Sequence, residues 1–195
     1  MITYRTFRGS DIESIFENLA QLRITVFRDY PYLYEGTLDY ERAYLQTYSN
    51  AERAFVFTVF DDEKLVGATT CIPLEDETLE VKKPFLEANL NIERIFYFGE
   101  SILLKEYRGL GLGNRFFEER ENHAKRFGTF DVVCFCAVQR ENNHPLKPKD
   151  YRALDDFWIK KGYKKQINLE SSFEWLDIGE PKPTNKPMIY WMKNI

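Results

Sequence analysis

Cysteine is scarce in this sequence, which has three, at positions 71, 134 and 136. An odd number of cysteines without CxxC spacing argues against a disulfide framework and against a zinc site, so no bound metal is expected. Cys134 and Cys136 alternate with Val133 and Phe135 in the segment VVCFCAV. Because successive side chains of a strand point to opposite faces, these two cysteines are predicted to be core residues of a buried strand.

Long apolar runs and runs of like charge are also missing. No segment approaches about eighteen consecutive apolar residues, and the start, MITYRTFRGSD, lacks the apolar stretch of a signal peptide. The formal net charge is -4, the isoelectric point is near 5.4, and no run of five like charges occurs. We therefore expect a cytoplasmic protein that binds neither membranes nor nucleic acid.

The 195 residues are enough for one domain with a substantial core. Hydrophobic periodicity and turn residues predict strands over residues 2–8, 53–60, 64–74, 94–104, 131–138, 163–169 and 186–195. Helices are predicted over residues 11–27, 41–48, 113–127 and 151–162, and a polar surface insertion has a short helix over residues 84–90. This order predicts a single α/β domain over residues 1–195, built around a mixed sheet.

Several single positions carry expectations of their own. Gly99 lies inside a predicted strand, where glycine often marks a bulge or a close backbone approach. Tyr40, Tyr44 and Tyr48 recur at helical spacing and are expected to pack against the core. His123 lies among charged residues in the middle of a predicted helix and is expected at the surface.

Three glycines, Gly109, Gly111 and Gly113, follow Arg108 between a predicted strand and a predicted helix. A helix start directs free amide N–H groups and a positive dipole at one point, and glycine lets an anion approach them closely. The pattern favours a phosphate site, although it fits neither GxGxxG nor a P-loop. A tight turn that uses glycine for positive φ explains the same residues.

Two motifs give this pattern a context. The run Arg108-Gly109-Leu110-Gly111-Leu112-Gly113 resembles the Arg/Gln-x-x-Gly-x-Gly/Ala signature of the Gcn5-related N-acetyltransferases, the GNAT superfamily. The later string FWIKKGY, residues 157–163, resembles the Phe-Tyr-x-x-x-Gly-Phe ending of that family. The strings YFGESILLKEYRGLGLGNRFFEERENHA and DYRALDDFWIKKGY also resemble a bacterial subgroup of unassigned substrate.

The resemblance implies a GNAT-like, mostly antiparallel central sheet, flanked by helices and splayed at the cofactor-binding strand. It implies direct transfer of an acetyl group from acetyl-CoA to a primary amine of a small molecule or peptide, with no metal; a homodimer is left open. Backbone groups near the strand end would bind pantetheine and the glycine loop would bind pyrophosphate. The implied cofactor-binding residues are Leu103, Leu104, Lys105, Arg108, Gly109, Leu110, Gly111, Leu112, Gly113 and Asn114.

The catalytic candidates are Glu100, His144 and Tyr151. Glu100, beside Gly99 and just before the cofactor strand ends, is the first candidate base, and a solvated or salt-bridged carboxylate is the alternative. His144 comes second, since Asn-His-Pro is also turn material. Trp158 stands where many relatives have the tyrosine that protonates the thiolate. Tyr151, predicted to share a helix with Trp158, is the candidate acid, and the alternatives are another phenol, solvent, or a loss of catalysis.

The acceptor side is assigned by the resemblance to the first two helices and their connection. Tyr30, Tyr32 and Tyr34 are the candidate substrate-binding residues. Acidic Asp29, Glu35 or Asp39 would suit a cationic amine there, whereas Arg23 or Arg28 would suit an anionic one. Two other functions stay open, namely an enzyme that uses a longer acyl-CoA, and a CoA-sensing or interaction protein that has lost turnover.

Overall fold

The computed structural model describes residues 1–195, in which seven strands form one sheet. The strands are β1 Ile2–Arg8, β2 Phe55–Asp61, β3 Lys64–Pro73, β4 Ile95–Leu103, β5 Val132–Val138, β6 Lys164–Trp175 and β7 Thr184–Asn194. The α-helices are α1 Phe16–Phe27, α2 Leu38–Asn50, α3 Leu79–Glu87, α4 Leu112–Lys125 and α5 Asp155–Lys160. No helix is both long enough and apolar enough to cross a membrane.

The sheet has the order β1-β2-β3-β4-β5-β7-β6, and every neighbouring pair is antiparallel except β4 and β5. Pairing between β4 and β5 is short, from Ile95 with Val132 to Tyr97 with Cys134. Beyond Tyr97 the two strands separate, which opens the middle of the sheet. The predicted mostly antiparallel sheet, splayed at the cofactor strand and flanked by helices, is confirmed.

Two hydrophobic clusters cover the two faces of the sheet. One includes residues of α1, α2 and α3, and the other includes residues of α4, with α5 packed against it. In β5, Cys134 and Cys136 belong to the first cluster, while Val133 and Phe135 belong to the second. The alternation read from VVCFCAV is therefore confirmed, and all three cysteines are buried free thiols.

The prediction of a polar surface insertion with a helix over residues 84–90 is wrong in the bounds of the helix and in its exposure. Its helix begins at Leu79 and packs on β6, with Val81 and Phe85 buried. Pro84 lies inside this helix, where it cannot donate to the carbonyl of Glu80 four residues earlier. The hydroxyl of Ser171 on β6 donates to that carbonyl at 2.9 Å instead, so tertiary contact stabilises the helix across its proline.

The structure also shortens two predicted helices. The first residues of 11–27 form a 3-10 helix, Gly9–Ile15, and α1 begins only at Phe16. The last helix begins at Asp155 rather than at Tyr151, since Asp155 and Asp156 supply the acidic first turn that a helix start favours. Tyr151 lies before this helix, and its amide donates to the carbonyl of Pro148.

The expectation that His123 lies at the surface is wrong. The imidazole is 4% exposed and stacks on Phe55, with the two ring centroids 4.5 Å apart. Its Nε2 lies 2.9 Å from the carbonyl oxygen of Arg53, which fixes Nε2 as the donor, and Nδ1 is buried without a partner. Burial lowers the pKa of His123 to about 4, because protonation would add a charge with no partner.

Candidate active site

The glycine loop joins β4 to α4 and has the backbone that glycine permits. Gly109 and Gly111 both have φ of +81°, in the left-handed region, and Gly111 is the N-cap residue of α4. A Cβ atom on either glycine would have nothing within 4 Å. The tight-turn explanation of these glycines is therefore correct, and the same turn leaves an open surface at the start of α4.

None of the five amides from residue 109 to residue 113 donates a hydrogen bond within the protein. The first amide of α4 with a backbone acceptor is that of Asn114, which donates to the carbonyl of Gly111 at 3.0 Å. Five unpaired donors at the positive end of a 14-residue helix form an environment that favours an anion. A pyrophosphate fits this loop, since no Cβ atom at Gly109 or Gly111 stands between it and the amides.

The other predicted cofactor residues lie around this loop but have partners of their own. The amide of Leu104 donates to the carbonyl of Val66 on β3 at 3.0 Å, and Arg108 Nε donates to the carbonyl of Leu103 at 3.1 Å. Lys105 forms an ion pair of 2.9 Å with Asp29, which lies 3.6 Å from Arg108. The edge of β4 that faces the opening has no partner strand from residue 98 to residue 103.

Glu100 lies at an irregularity of β4, as the glycine beside it suggested. The register between β3 and β4 shifts there, so that Gly99 and Glu100 oppose Thr70 alone. A Cβ atom on Gly99 would overlap the hydroxyl of Tyr48 and lie 2.6 Å from Thr70 Oγ1. Thr70 Oγ1 also accepts from the Glu100 amide at 3.2 Å, and Thr69 donates to the Glu100 carbonyl at 2.7 Å.

The Glu100 side chain is buried in a charged cluster between the sheet and the first two helices. Arg23 Nη1 lies 2.6 Å from Glu100 Oε2, while Arg23 Nε donates to the buried Glu41. The hydroxyl of Tyr44 donates to Glu100 Oε2 at 3.2 Å. The other carboxylate oxygen, Oε1, is buried without a partner. Glu100 is thus salt-bridged, as one alternative predicted, and still keeps one free acceptor atom.

A cavity of about 170 Å³ lies over Glu100, at the point where β4 and β5 separate. Its wall includes one arginine against three glutamates, and eight of its 17 lining residues are aromatic. The acidic residues are Glu80, Glu100 and Glu174, and the aromatic residues are Phe27, Tyr32, Tyr34, Tyr40, Tyr44, Tyr97, Phe173 and Trp175. Arg23 is paired with two carboxylates, whereas Glu80 and Glu174 form no ion pair.

The predicted catalytic and substrate residues separate into two groups. Tyr32 and Tyr34 line the cavity with Glu100. Tyr30 does not line it, and instead packs edge-on against Tyr151, with ring centroids 4.6 Å apart, and lies 5.8 Å from His144. Burial raises the pKa of Tyr151, which keeps its hydroxyl protonated at neutral pH.

Sequence reasoning missed the residue that holds the connection between α1 and α2, part of the cavity wall, in place. Arg140, just after β5, donates to the carbonyl oxygens of Pro31 and Tyr32 at 2.7 and 2.6 Å. It also forms a two-point ion pair with the buried Asp177, which lies between β6 and β7. The connection between α1 and α2 is thereby fixed to the far end of the sheet. A lone arginine after a strand carries no sequence signal for contacts more than a hundred residues away.

Trp158 lies against the second core. Its indole packs on Phe135 and Trp191, with ring centroids 5.0 and 5.1 Å away. The neighbouring Phe157 approaches the glycine loop, since its ring would lie 3.8 Å from a Cβ atom on Gly113. Beside it, at the start of α5, is an open groove of about 490 Å³ whose wall includes Arg152 and Lys160.

Comparison with known proteins gives a family for this geometry. Residues 19–154 match the model of the acetyltransferase (GNAT) family. No curated protein matches the sequence. Among solved structures, a GNAT-family acetyltransferase from Streptococcus pneumoniae is 14% identical, with a TM-score of 0.58 and full coverage of both chains.

Two further structures share the fold at low identity. NAA60 of Arabidopsis thaliana, solved with a bisubstrate analogue, is 13% identical, with a TM-score of 0.61 and coverage of 100% of this chain and 99% of that one. A ribosomal-protein-alanine N-acetyltransferase from Brucella melitensis is 12% identical, with a TM-score of 0.60 and the same coverage. With its family model matched over most of the sequence and its sheet splayed beside the glycine loop, the chain belongs to the GNAT acetyltransferase family.

Proposed function

We propose that this protein transfers the acetyl group of acetyl-CoA directly to a small primary amine bound in the cavity over Glu100. The observation that carries the proposal is the placement of two features along β4. The unpaired amides of the glycine loop follow the strand end, and the free carboxylate oxygen of Glu100 lies a few residues earlier, beside the cavity. A thioester extended along the unpaired edge of β4 would meet an amine in that cavity.

In this proposal Glu100 is the base. Its Oε1 accepts a proton from the amine, directly or through one water molecule, and the nitrogen then attacks the thioester carbonyl. An amide of the unpaired β4 edge stabilises the oxyanion, and the C–S bond breaks to release CoA. Trp158 cannot protonate the thiolate because an indole has no acidic hydroxyl. The proton comes from Tyr151 or from solvent.

The cavity favours a particular kind of amine. A carboxylate on the acceptor would face three glutamates and one arginine that is already paired twice. At about 4 Å and an effective dielectric near 20, one like-charge contact is unfavourable by about 4 kcal/mol before screening. The aromatic wall attracts cations, and a 170 Å³ cavity is comparable to one of about 150 Å³ that holds benzene. The preferred acceptor is therefore a small cationic amine without a carboxylate.

The test uses pairs of acceptors that differ only in a carboxylate, such as tyramine with tyrosine and cadaverine with lysine. Formation of N-acetyl product is measured by mass spectrometry at equal acetyl-CoA. We expect the decarboxylated member of each pair to have a kcat/KM more than about tenfold higher, equivalent to about 1.4 kcal/mol. Equal or better use of the amino acids would contradict the assignment of the cavity as the acceptor site.

A second candidate function is a CoA-sensing protein without turnover. Trp158 favours it, because an indole stands where many relatives have the tyrosine that protonates the thiolate. A CoA-sensing protein would bind acetyl-CoA at the glycine loop without releasing free thiol in the presence of any amine. If the protein does release thiol, Glu100→Gln tests the proposed base, since glutamine keeps the side-chain shape but cannot accept the proton. We expect it to lower kcat/KM by about a hundredfold while acetyl-CoA still binds.

A further inference from the structure

Four side-chain oxygens form an unbroken chain from the cavity into the core. Glu100 Oε2 lies 3.2 Å from the Tyr44 hydroxyl, which lies 3.1 Å from the Tyr48 hydroxyl. The Tyr48 hydroxyl in turn lies 2.9 Å from Oε1 of Glu77. Tyr48, Glu77 and Glu100 are all buried, and Tyr44 is partly buried at the cavity wall.

The hydrogens in this chain do not suffice for its contacts. Three oxygen–oxygen contacts need three hydrogens, and the two tyrosines supply only two if both carboxylates are ionised. Either Tyr44 and Tyr48 then face each other with lone pairs, or one carboxylate is left without its donor. One added proton completes all three hydrogen bonds, and it can reside at either end, on Glu100 or on Glu77.

Two features of the fold keep this chain intact. Gly99 leaves the space that the Tyr48 hydroxyl occupies against β4, because a Cβ atom there would overlap that oxygen. The outer oxygen of Glu77, Oε2, accepts from the Thr78 amide at 3.0 Å, which orients Oε1 toward Tyr48. Burial raises the pKa of Glu77, so this carboxyl holds a proton more readily than an exposed glutamate.

We infer that the chain from Glu100 through Tyr44 and Tyr48 to Glu77 is a proton relay that takes up the proton of the bound ammonium group before acetyl transfer. The inference rests on the proposed function, in which an amine bound in the cavity is acetylated. Glu77, Tyr44 and Tyr48 act through Glu100, so they are positioning and relay residues.

The proton balance of the step is simple. An N–H bond of the ammonium breaks, its electron pair stays on nitrogen, and the proton passes to Oε1 of Glu100. A turn of the protonated carboxyl group then brings this hydrogen to the Tyr44 hydroxyl, which contacts Oε2 in the resting state. Each hydroxyl then passes its hydrogen one oxygen further, so that Glu77 becomes a carboxylic acid and Glu100 is again a carboxylate. The free nitrogen attacks the thioester and the C–S bond breaks. Tyr151 or solvent gives a proton to the sulfur of CoA, and the second N–H proton, lost as the amide forms, replaces the proton that was given. Release of the product lets the stored proton return to solvent.

Other charged and titratable groups also face the relay and will affect its titration. They come from every element packed around the relay and are Arg23, Tyr32, Glu41, Tyr97, Arg120, Cys134, Cys136 and Tyr190. The Arg23 guanidinium faces Glu100 directly, and the Tyr97 hydroxyl lies 3.1 Å from Cys136 Sγ at the cavity wall. Variants that interrupt the relay must therefore leave these residues in place.

The experiment interrupts the relay in the middle and supplies an amine that does not need it. Tyr48→Phe removes one hydroxyl, and kcat/KM is measured at pH 7 with tyramine and with its β,β-difluoro analogue. Fluorine lowers the basicity of the amine, so that a large fraction of the analogue is already neutral. We expect a loss of more than about tenfold with tyramine and less than about threefold with the analogue. Raising the pH should restore activity toward tyramine in the same variant.

Tyr190→Phe is the matched control, since Tyr190 is also buried near Glu77 but its hydroxyl donates to the carbonyl of Val81 at 3.0 Å and makes none of the hydrogen bonds of the relay. We expect it to affect both amines equally and by less than about threefold. Glu77→Gln, which keeps the shape but cannot take up the proton, should reproduce the selective loss and serves if Tyr48→Phe fails to fold.

Three outcomes would overturn the relay. The first is an equal loss with both amines in Tyr48→Phe and in Glu77→Gln, and the second is normal activity in both variants. The third is a selective loss in the Tyr190→Phe control. Each of these overturns the relay alone, because the wild type still acetylates the amine. Absence of acetylation of any amine by the wild type would overturn the proposed function, and the relay with it.

Discussion

Gly111→Val is the substitution that separates the anion site of the glycine loop from the stability of the fold. Gly111 has φ of +81° and open space in the direction of a Cβ atom. The Cβ atom of a valine there meets no neighbour, and we expect the fold to lose only the preference of a side chain for negative φ. The added side chain stands in the middle of the unpaired amides of residues 109–113, where we propose that a pyrophosphate lies.

The two effects differ in size. A side chain in the left-handed region costs roughly 1–2 kcal/mol, and a β-branched one is at the upper end. For a chain of this length 1 kcal/mol shifts Tm by about 2–4 °C, so the variant should melt about 2–8 °C lower. If the loop binds acetyl-CoA as proposed, the ligand at a hundred times Kd should stabilise the wild type by about 2.7 kcal/mol, or about 5–11 °C. A hundredfold weaker affinity would reduce that stabilisation to about 0.4 kcal/mol.

Thermal unfolding with and without acetyl-CoA and CoA is the assay. Gly128→Val is the control, because Gly128 follows the other end of α4 with φ of +66° and equally open space. Both variants should lose similar stability, but only Gly111→Val should lose the ligand-induced shift. A folded Gly111→Val protein with the wild-type shift would refute the assignment of this loop to pyrophosphate, and a lost shift in Gly128→Val would show that strain alone explains the effect.

Two further predictions concern single side chains. His123→Phe should flatten the dependence of stability on pH. The histidine has a pKa near 6.5 in the unfolded protein and about 4 in the folded protein. The wild type therefore loses stability as the pH falls between these values, by at most about 3 kcal/mol. An equally steep loss in the variant, measured by denaturant unfolding from pH 7 to pH 4, would contradict this. Tyr151→Phe should lower kcat roughly tenfold, while Trp158→Phe should leave the pH dependence of kcat unchanged. Normal turnover in Tyr151→Phe, at both neutral and alkaline pH, would assign the thiolate proton to water.

The local sequence pattern was enough to predict most strands of the sheet and the glycine loop. Alternation in VVCFCAV assigns Cys134 and Phe135 to opposite faces, and the single glycine of β4 marks the bulge at Gly99. These features depend on neighbours along the chain. The turn that needs positive φ at Gly111 is also a local property, which is why both the motif and its geometry could be predicted.

Contacts between distant segments were not predictable in the same way. Tyr44 and Tyr48 were expected to pack, since their spacing places them on one helix face, but nothing in that spacing indicates Glu77 or Glu100 as partners. The charged residues around His123 suggested an exposed helix face, whereas the tertiary fold covers it with Phe55. Tyr151 was assigned to a helix that begins four residues later; it packs instead against Tyr30 and is not among the residues that line the cavity.

The central claim is tested most directly by counting products. Purified protein is incubated with acetyl-CoA and tyramine, and both free thiol and N-acetyltyramine are measured over time. Direct transfer predicts that the two appear in equal amounts, that neither accumulates without the amine, and that Glu100→Gln slows both about a hundredfold. Binding of acetyl-CoA without any thiol release across the cationic amines, or thiol release without an acetylated amine, would contradict it.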